Sequence, residues 1–324
     1  VITAGRATET EYRIGRTTGL IESIVDNGRE LLATPIRPTV WRAPTDNDGI
    51  VNFSARWIGR WGDAFLKHWK FHARTAAYTE EDTCIRITVT GKVLPVSRLV
   101  GYLVTLTYRI YADGLVLTEY EGTPYGDLPE ALPRMGVCFR LAEEYTTTTW
   151  YGRGEDENYC DRKAHCPVGL YSLPIKDMNF VYDVPQECGT RTETRFVSVT
   201  GGDKVFTVVG AGQFDFSCHD FTLQNLENAR HRNELVRTPE KYLYIDYKMR
   251  GLGSHSCGPN PEEQYELRPH AFRLVFALCD GDADAALAFA HKSFAVRSEA
   301  LSGKHEFHRE ETIKGVIECD INRD

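Results

Sequence analysis

Short runs that alternate apolar and polar residues, each closed by a turn signal, constrain this chain more than any other feature. Cys84–Thr90 reads CIRITVT, Tyr102–Tyr111 YLVTLTYRIY, Leu115–Tyr120 LVLTEY and Gly136–Leu141 GVCFRL. Thr194–Thr200 (TRFVSVT), Val205–Ala211 (VFTVVGA), Tyr242–Met249 (YLYIDYKM) and Phe272–Leu278 (FRLVFAL) continue the pattern. Successive side chains of a strand point to opposite faces, so a period-two run lays one face on a core. Ala112-Asp113-Gly114 and Gly201-Gly202-Asp203 sit between such runs, and Gly in these pairs permits the tight hairpin turn. An aromatic content of 11% also favours strands over helices. Many short strands with regular punctuation predict an all-β sandwich.

Helical pattern is scarce. Asn52–Trp69 is expected to hold one or two short helices, with Trp57, Trp61, Phe65 and Trp69 at four-residue spacing as a core-facing stripe. Asp282–Val296, Ala-rich and opened by Asp, is a second helix candidate. Leu301–Asp324 is polar, without periodicity, and reads as a loose tail or a short added strand. The simplest division is one domain over residues 1–279 and a C-terminal extension over 280–324. The chain begins at Val1, which fits either processing or a piece of a longer protein.

The net charge of −8 with no basic run argues against nucleic acid. No apolar stretch nears the ~18 residues that cross a membrane, and no signal peptide is visible. The nine cysteines are odd in number, irregularly spaced and free of CxxC, which fits reduced, buried thiols in a cytoplasmic protein.

One segment cannot be a strand: Trp41-Arg42-Ala43-Pro44-Thr45-Asp46-Asn47-Asp48-Gly49. Asp and Asn bond their own backbone and Gly allows positive φ, so this is an organised loop. It resembles the signature near the start of the C-terminal domain of the LacZ-type β-galactosidases, glycoside hydrolase family 2. Gly152-Arg153-Gly154-Glu155-Asp156-Glu157-Asn158-Tyr159-Cys160-Asp161-Arg162 resembles a second segment of that domain, with Glu155 where Pro is common. Pro185-Gln186-Glu187-Cys188-Gly189-Thr190-Arg191 resembles a third, and Gly253-Ser254-His255-Ser256-Cys257-Gly258-Pro259 a fourth. The resemblance, in this order, covers residues 10–279.

It implies the large antiparallel supersandwich related to galactose mutarotases. It also implies a catalytic Glu pair in a preceding (β/α)₈ barrel, or large subunit, outside this chain, with this domain closing one side of a β-galactoside site. Gly49 would be the hinge of a mobile loop at Ile50–Ala55 that contains Asn52, with Asp46, Asn47, Asp48 and Gly49 ordering it. Ser256 and Cys257 would line the outer sugar subsite; Cys257 stands where some members carry a sugar-stacking Trp. Arg42, Glu157, Tyr159, Arg162, Glu187 and Arg191 would hold the loops in place. Mg²⁺ and Na⁺, expected in the complete, oligomeric enzyme, would be held outside this chain.

The residues themselves point the same way. Retaining hydrolysis needs two carboxyls about 5 Å apart. The candidates Asp46, Glu157, Asp161 and Glu187 all neighbour Arg, Asn or Tyr, and ion pairing is expected for Asp161–Arg162 and Glu187–Arg191. The Asn233-Glu234 dipeptide has no barrel context, and no HxH or HExxH spacing suggests a metal. Two alternatives stay open. A stand-alone aldose 1-epimerase would need His165 or His231 facing a carboxylate across a groove. A carbohydrate-binding module would bind sugar without catalysis.

Overall fold

A computed structural model describes residues 2–4, 10–49, 57–112, 114–180, 182–253 and 260–279. The first strands are β1 (Ile2–Ala4), β2 (Thr10–Ile14), β3 (Ile21–Asp26), β4 (Arg29–Glu30) and β5 (Leu32–Thr39). Helix α1 (Trp57–Asp63) follows, then β6 (Lys70–Glu80), β7 (Cys84–Leu94), β8 (Gly101–Tyr111), β9 (Val116–Tyr125), β10 (Arg134–Leu141), β11 (Thr147–Arg153) and β12 (Val168–Pro174). The chain continues through β13 (Arg191–Gly201), β14 (Lys204–His219), helix α2 (Leu223–Asn228), β15 (Lys241–Met249) and β16 (Phe272–Cys279).

The expected all-β, antiparallel architecture is observed. β1–β4 form a small sheet, and the other strands form one large sheet along β12-β11-β13-β14-β16-β9-β8-β7-β6, with β15, β10 and β5 branching from β14. The branch arises within β14 itself. Its Thr207–Gly210 stretch pairs with β16, whereas Asp215–His219 pairs with β15. One long strand thus feeds two layers, and the core lies between them. Tyr102, Val104, Leu106, Tyr108 and Ile110 of β8 alternate inward, as do Phe206 and Val208 of β14 and Phe276 and Leu278 of β16. At the β13–β14 turn Gly201 pairs with Lys204 and Gly202 takes φ 61, the hairpin expected there.

The tryptophan stripe is core in three of its four members. Trp57, Trp61 and Trp69 are buried, but Phe65 is 38% exposed. Helix α1 stops at Asp63, and Phe65 adopts φ 54 before a short 3-10 turn, so the four-residue spacing does not continue on one helix. The helix expected at Asp282–Val296 and the segment Leu301–Asp324 lie outside the described residues. Among the described residues, Cys84, Cys138, Cys160, Cys166, Cys188 and Cys218 are free thiols, and no helix is long and apolar enough to cross a membrane.

Candidate functional site

The loop after β5 folds around one carboxylate. Asp46–Asp48 make a 3-10 turn that ends on Gly49 at φ 116, a left-handed conformation that a Cβ would strain. Asp48 is completely buried and accepts from the Thr45 backbone N–H at 2.7 Å and the Thr45 hydroxyl at 3.0 Å. The Arg42 guanidinium grips it at 2.7 and 3.1 Å, and Arg250 donates a further bond at 3.2 Å. A buried carboxylate is tolerated because so many donors replace its water. Asp46 and Asn47 look outward to other loops. The Asp46 N–H donates to Gln186 Oε1 at 3.1 Å, and Asn47 Nδ2 donates to the Leu252 carbonyl at 2.9 Å.

The second and third motif segments lock together in the same region. Glu157 accepts from Arg162 Nη2 at 2.6 Å, from the Gly189 N–H at 2.8 Å and from the Tyr182 hydroxyl. Asn158 Oδ1 accepts from the Thr192 N–H and hydroxyl at 2.9 and 2.6 Å. Tyr159 is buried, with Arg162 over its ring at 5.2 Å. Arg191, buried against Trp150, donates to the carbonyls of Glu155, Met178 and Gly189. Burial holds its pKa below the usual guanidinium value.

Two expected ion pairs are not made. Asp161 instead accepts the N–H groups of Leu252 (3.2 Å) and Gly253 (2.8 Å), while its neighbour Arg162 turns to Glu157. Glu187 lies 3.7 Å from Arg134, and Arg191 takes carbonyls. Asp161–Arg162 and Glu187–Arg191 were expected from chain proximity, but the first pair sits in the tight turn closed by Tyr159 and Arg162, and Glu187 lies in a loop before β13 with Arg134 as its near cation. Each carboxylate accordingly finds its partner on another segment. His231 is exposed and bonded to Glu234 at 2.8 Å, which places it at the surface and closes Glu234 into a local turn. Asn52, Ser256, Cys257 and the segment Ile50–Ala55 lie outside the described residues.

Four charged residues went unnoticed in the sequence. Arg134 is fully buried, 3.0 Å from Asp246 and with its guanidinium over the Tyr244 ring. The contact leaves both Asp246 oxygens without an aligned hydrogen bond among the described residues. Asp246 stands directly opposite Asp215 across the β14–β15 ladder. Burial pushes Asp246 up to about 8 and Asp215 to about 7, the proximity of the other acid adding to the Asp246 shift and Arg134 opposing it. Burial likewise raises Glu187. The fourth, Arg250, bonds Glu266 at 2.6 and 2.8 Å and lies over the Trp57 ring at 4.4 Å. The signal for Asp215 and Asp246 was available: each interrupts an apolar strand, in FDFSC and YLYIDYKM.

Beside Glu157 opens a cleft of about 710 Å³, lined by Asp156, Arg162, His165, Asp177, Phe180 and Tyr182 among others. Phe180, 58% exposed, packs edge-on to Tyr182 at 4.7 Å. A smaller cavity of about 360 Å³, bordered by Glu193, Asp215, Tyr247 and His270, opens where β15 parts from β14. Among the described residues no group of three or more His, Cys, Asp or Glu could hold a metal ion.

The family model described as beta galactosidase small chain matches residues 6–278. A beta-galactosidase of Actinobacillus pleuropneumoniae is 31% identical over 270 residues, which cover 82% of this chain and 26% of that protein. One of Kluyveromyces lactis is 30% identical over 272 residues, with coverages of 82% and 26%. The chain therefore spans about a quarter of the length of these curated relatives. A solved Escherichia coli protein described as a candidate aldose 1-epimerase is similar over 86% of this chain at 10% identity, with a TM-score of 0.41.

Proposed function

This chain belongs to the beta galactosidase small chain family, and we propose that it is the part of a β-galactosidase that shapes one wall of the sugar site. The cleaving carboxyls would come from the portion outside these residues, a barrel domain or a separate large subunit. The observation that carries this reading is convergence. Segments far apart in sequence, around Asp46, Glu157, Gln186 and Leu252, bond to one another through Gln186, Asn47 and Asp161. A domain with its own hydrolytic pair would present two free carboxyls to a substrate. Here Asp48, Glu157 and Asp161 are spent on guanidiniums, a phenol and backbone N–H groups. Mg²⁺ and Na⁺ would be held by groups of the complete enzyme outside this chain.

The test is complementation. The purified chain alone should leave an aryl β-galactoside intact, and mixing it with the remaining three quarters of a relative such as the Actinobacillus enzyme should restore hydrolysis. Turnover by the isolated chain would overturn the reading.

One observation favours a second reading, acid–base chemistry on a free aldose: His165 lines the open cleft together with Asp156 and Asp177. Polarimetry with freshly dissolved α-galactose decides it, since a mutarotation rate equal to that of buffer ends this alternative.

A further inference from the structure

We propose that the cavity at the fork of β14 and β15 is a binding site for an uncharged polyhydroxy ligand the size of one sugar ring. The fork itself makes the space. β14 pairs with β16 over Thr207–Gly210 and with β15 over Asp215–His219, and Asp215 opposite Asp246 is the last pair of the second ladder. Beyond it Gln213 on β14 and Tyr247, Lys248 and Met249 on β15 part. The opening between them, about 360 Å³, is bordered further by Glu193 of β13 and by the stretch Gln264–Leu267. This volume lies at the lower end of the range of small-molecule sites, roughly 300–1,000 Å³, and suits a monosaccharide better than a nucleotide.

The polar groups around the cavity decide the ligand class. Two of its carboxylates are already neutralised, Glu193 by Lys163 and by Arg153 at 2.7 Å, and Glu266 by Arg250 at 2.6 Å. Glu193 stands at φ 53 in the bulged stretch of β13, and its N–H donates to Asp215 Oδ1 at 3.3 Å. What remains to meet a ligand is Asp215, the Lys248 ammonium, the Gln213 amide and the Tyr265 phenol. The last three make no side-chain hydrogen bond or ion pair among the described residues. An amide and a phenol each donate and accept, the pattern that hydroxyl groups require. Burial raises Asp215 to about 7, so at neutral pH its carboxyl can do the same. A polyanion would face the carboxylates of Asp215, Glu193 and Glu266, and a cation would face Lys163 and Lys248, whereas an uncharged ligand meets neither repulsion. The Tyr247 ring, packed on Phe272 at 5.6 Å, makes an apolar wall with Met249 and Leu267, which suits the C–H face of a sugar ring.

The site is a property of this chain and stands apart from the hydrolytic reading. The experiment titrates the full chain calorimetrically with D-galactose, with D-glucose and with inorganic phosphate. At least one of the sugars should bind saturably with a Kd on the order of 1–10 mM, the range open to so small a ligand. Phosphate should bind at least about tenfold more weakly than that sugar, because of the carboxylates. Asp215→Ala should abolish saturable sugar binding. Gln213→Ala removes an exposed side chain without a partner, so it should weaken sugar binding about fivefold or more at an unchanged unfolding temperature. It keeps the test decisive if the Asp215 variant fails to fold. No saturable binding of either sugar, phosphate binding as tight as the sugars, or wild-type affinity in Gln213→Ala overturns the assignment. None of these outcomes bears on complementation of hydrolysis, which is measured on the assembled enzyme.

Discussion

Replacing Asp246 by Asn separates two accounts of the buried acids. Arg134 is the cation that touches Asp246, and the groups packed against this pair are Glu187, Asp215, Ser217 and Tyr244. Arg42 and Arg250 are already taken by Asp48 and Glu266. Arg134 faces both Glu187 and Asp246, and Arg42 also acts on Glu187 from its place beside Asp48, so Asp246 is the acid expected to keep its proton near neutral pH. Asp246 holds it more readily, raised to about 8 by burial first and then by Asp215 and Glu187. A folded-state pKa above the unfolded value means that native protein retains a proton which the unfolded chain has released. The resulting stability is complete below the unfolded value near 3.8 and is lost as pH rises through about 8. Over that window one proton makes a slope of ~1.4 kcal/mol per pH unit. Asn is a neutral isostere of the protonated acid. Asp246→Asn should therefore cost little at pH 5, remove that one-proton slope, and leave the variant more stable than wild type at pH 9. Urea unfolding at unit steps from pH 5 to 9 measures it. Were Asp246 ionised and paired, the variant would instead be destabilised by ~3–5 kcal/mol at every pH, because Arg134 would lose its partner. That outcome refutes the charge count.

Other substitutions test the remaining parts of the frame. Asp48→Ala strands the buried Arg42 guanidinium and should cost ~3–5 kcal/mol in urea unfolding. Gly49→Ala forces a Cβ into φ 116 and should cost ~1 kcal/mol or more, with altered turnover in the assembled enzyme, while unchanged kinetics would count against a hinge at this position. Phe180→Asp removes an exposed ring that packs only edge-on to Tyr182 among its aromatic contacts, so unfolding should shift by less than ~0.5 kcal/mol. If the remainder of the enzyme covers this face, that variant should weaken assembly about tenfold or more in a binding titration.

Much of the sheet could be read from sequence because burial writes itself into alternation. The run Tyr102–Tyr111 became β8 with its inward residues as expected. β6 escaped notice because it is the last strand of the large sheet and is exposed from Arg74 to Glu80, so beyond Phe71 and Ala73 the run KFHARTAAYTE has no apolar face to alternate. β14 was cut short at Ala211 because Gly210-Ala211-Gly212 looks like a terminus. In the fold these residues span the passage from the layer of β16 to that of β15, where a small side chain suits a changing partner. The loop segments were recognised, but their pairings were not, since hydrogen-bond partners such as Asp161 and Leu252 are set by the fold and not by spacing.

The site residues carry a further lesson about what a sequence signature records. Asp48 is the third polar residue of the turn and would be the obvious one to aim at a sugar, yet it is wholly buried. Glu157 and Asp161 are likewise turned to partners inside the protein. Chemistry at a substrate needs side chains with unspent hydrogen-bonding capacity, whereas these have almost none left. What the motif residues supply is rigidity: carboxylates buried with guanidiniums permit few alternative arrangements, because any shift leaves a charge uncompensated. On the proposed function, such rigidity would let the domain meet a partner's catalytic groups with little reorganisation, the condition under which positioned groups accelerate a reaction. The same logic explains why Arg134 and Arg250, which lie in none of the four motif segments, are as deeply buried as Arg42, which does. They complete the charge balance that lets those segments stay folded.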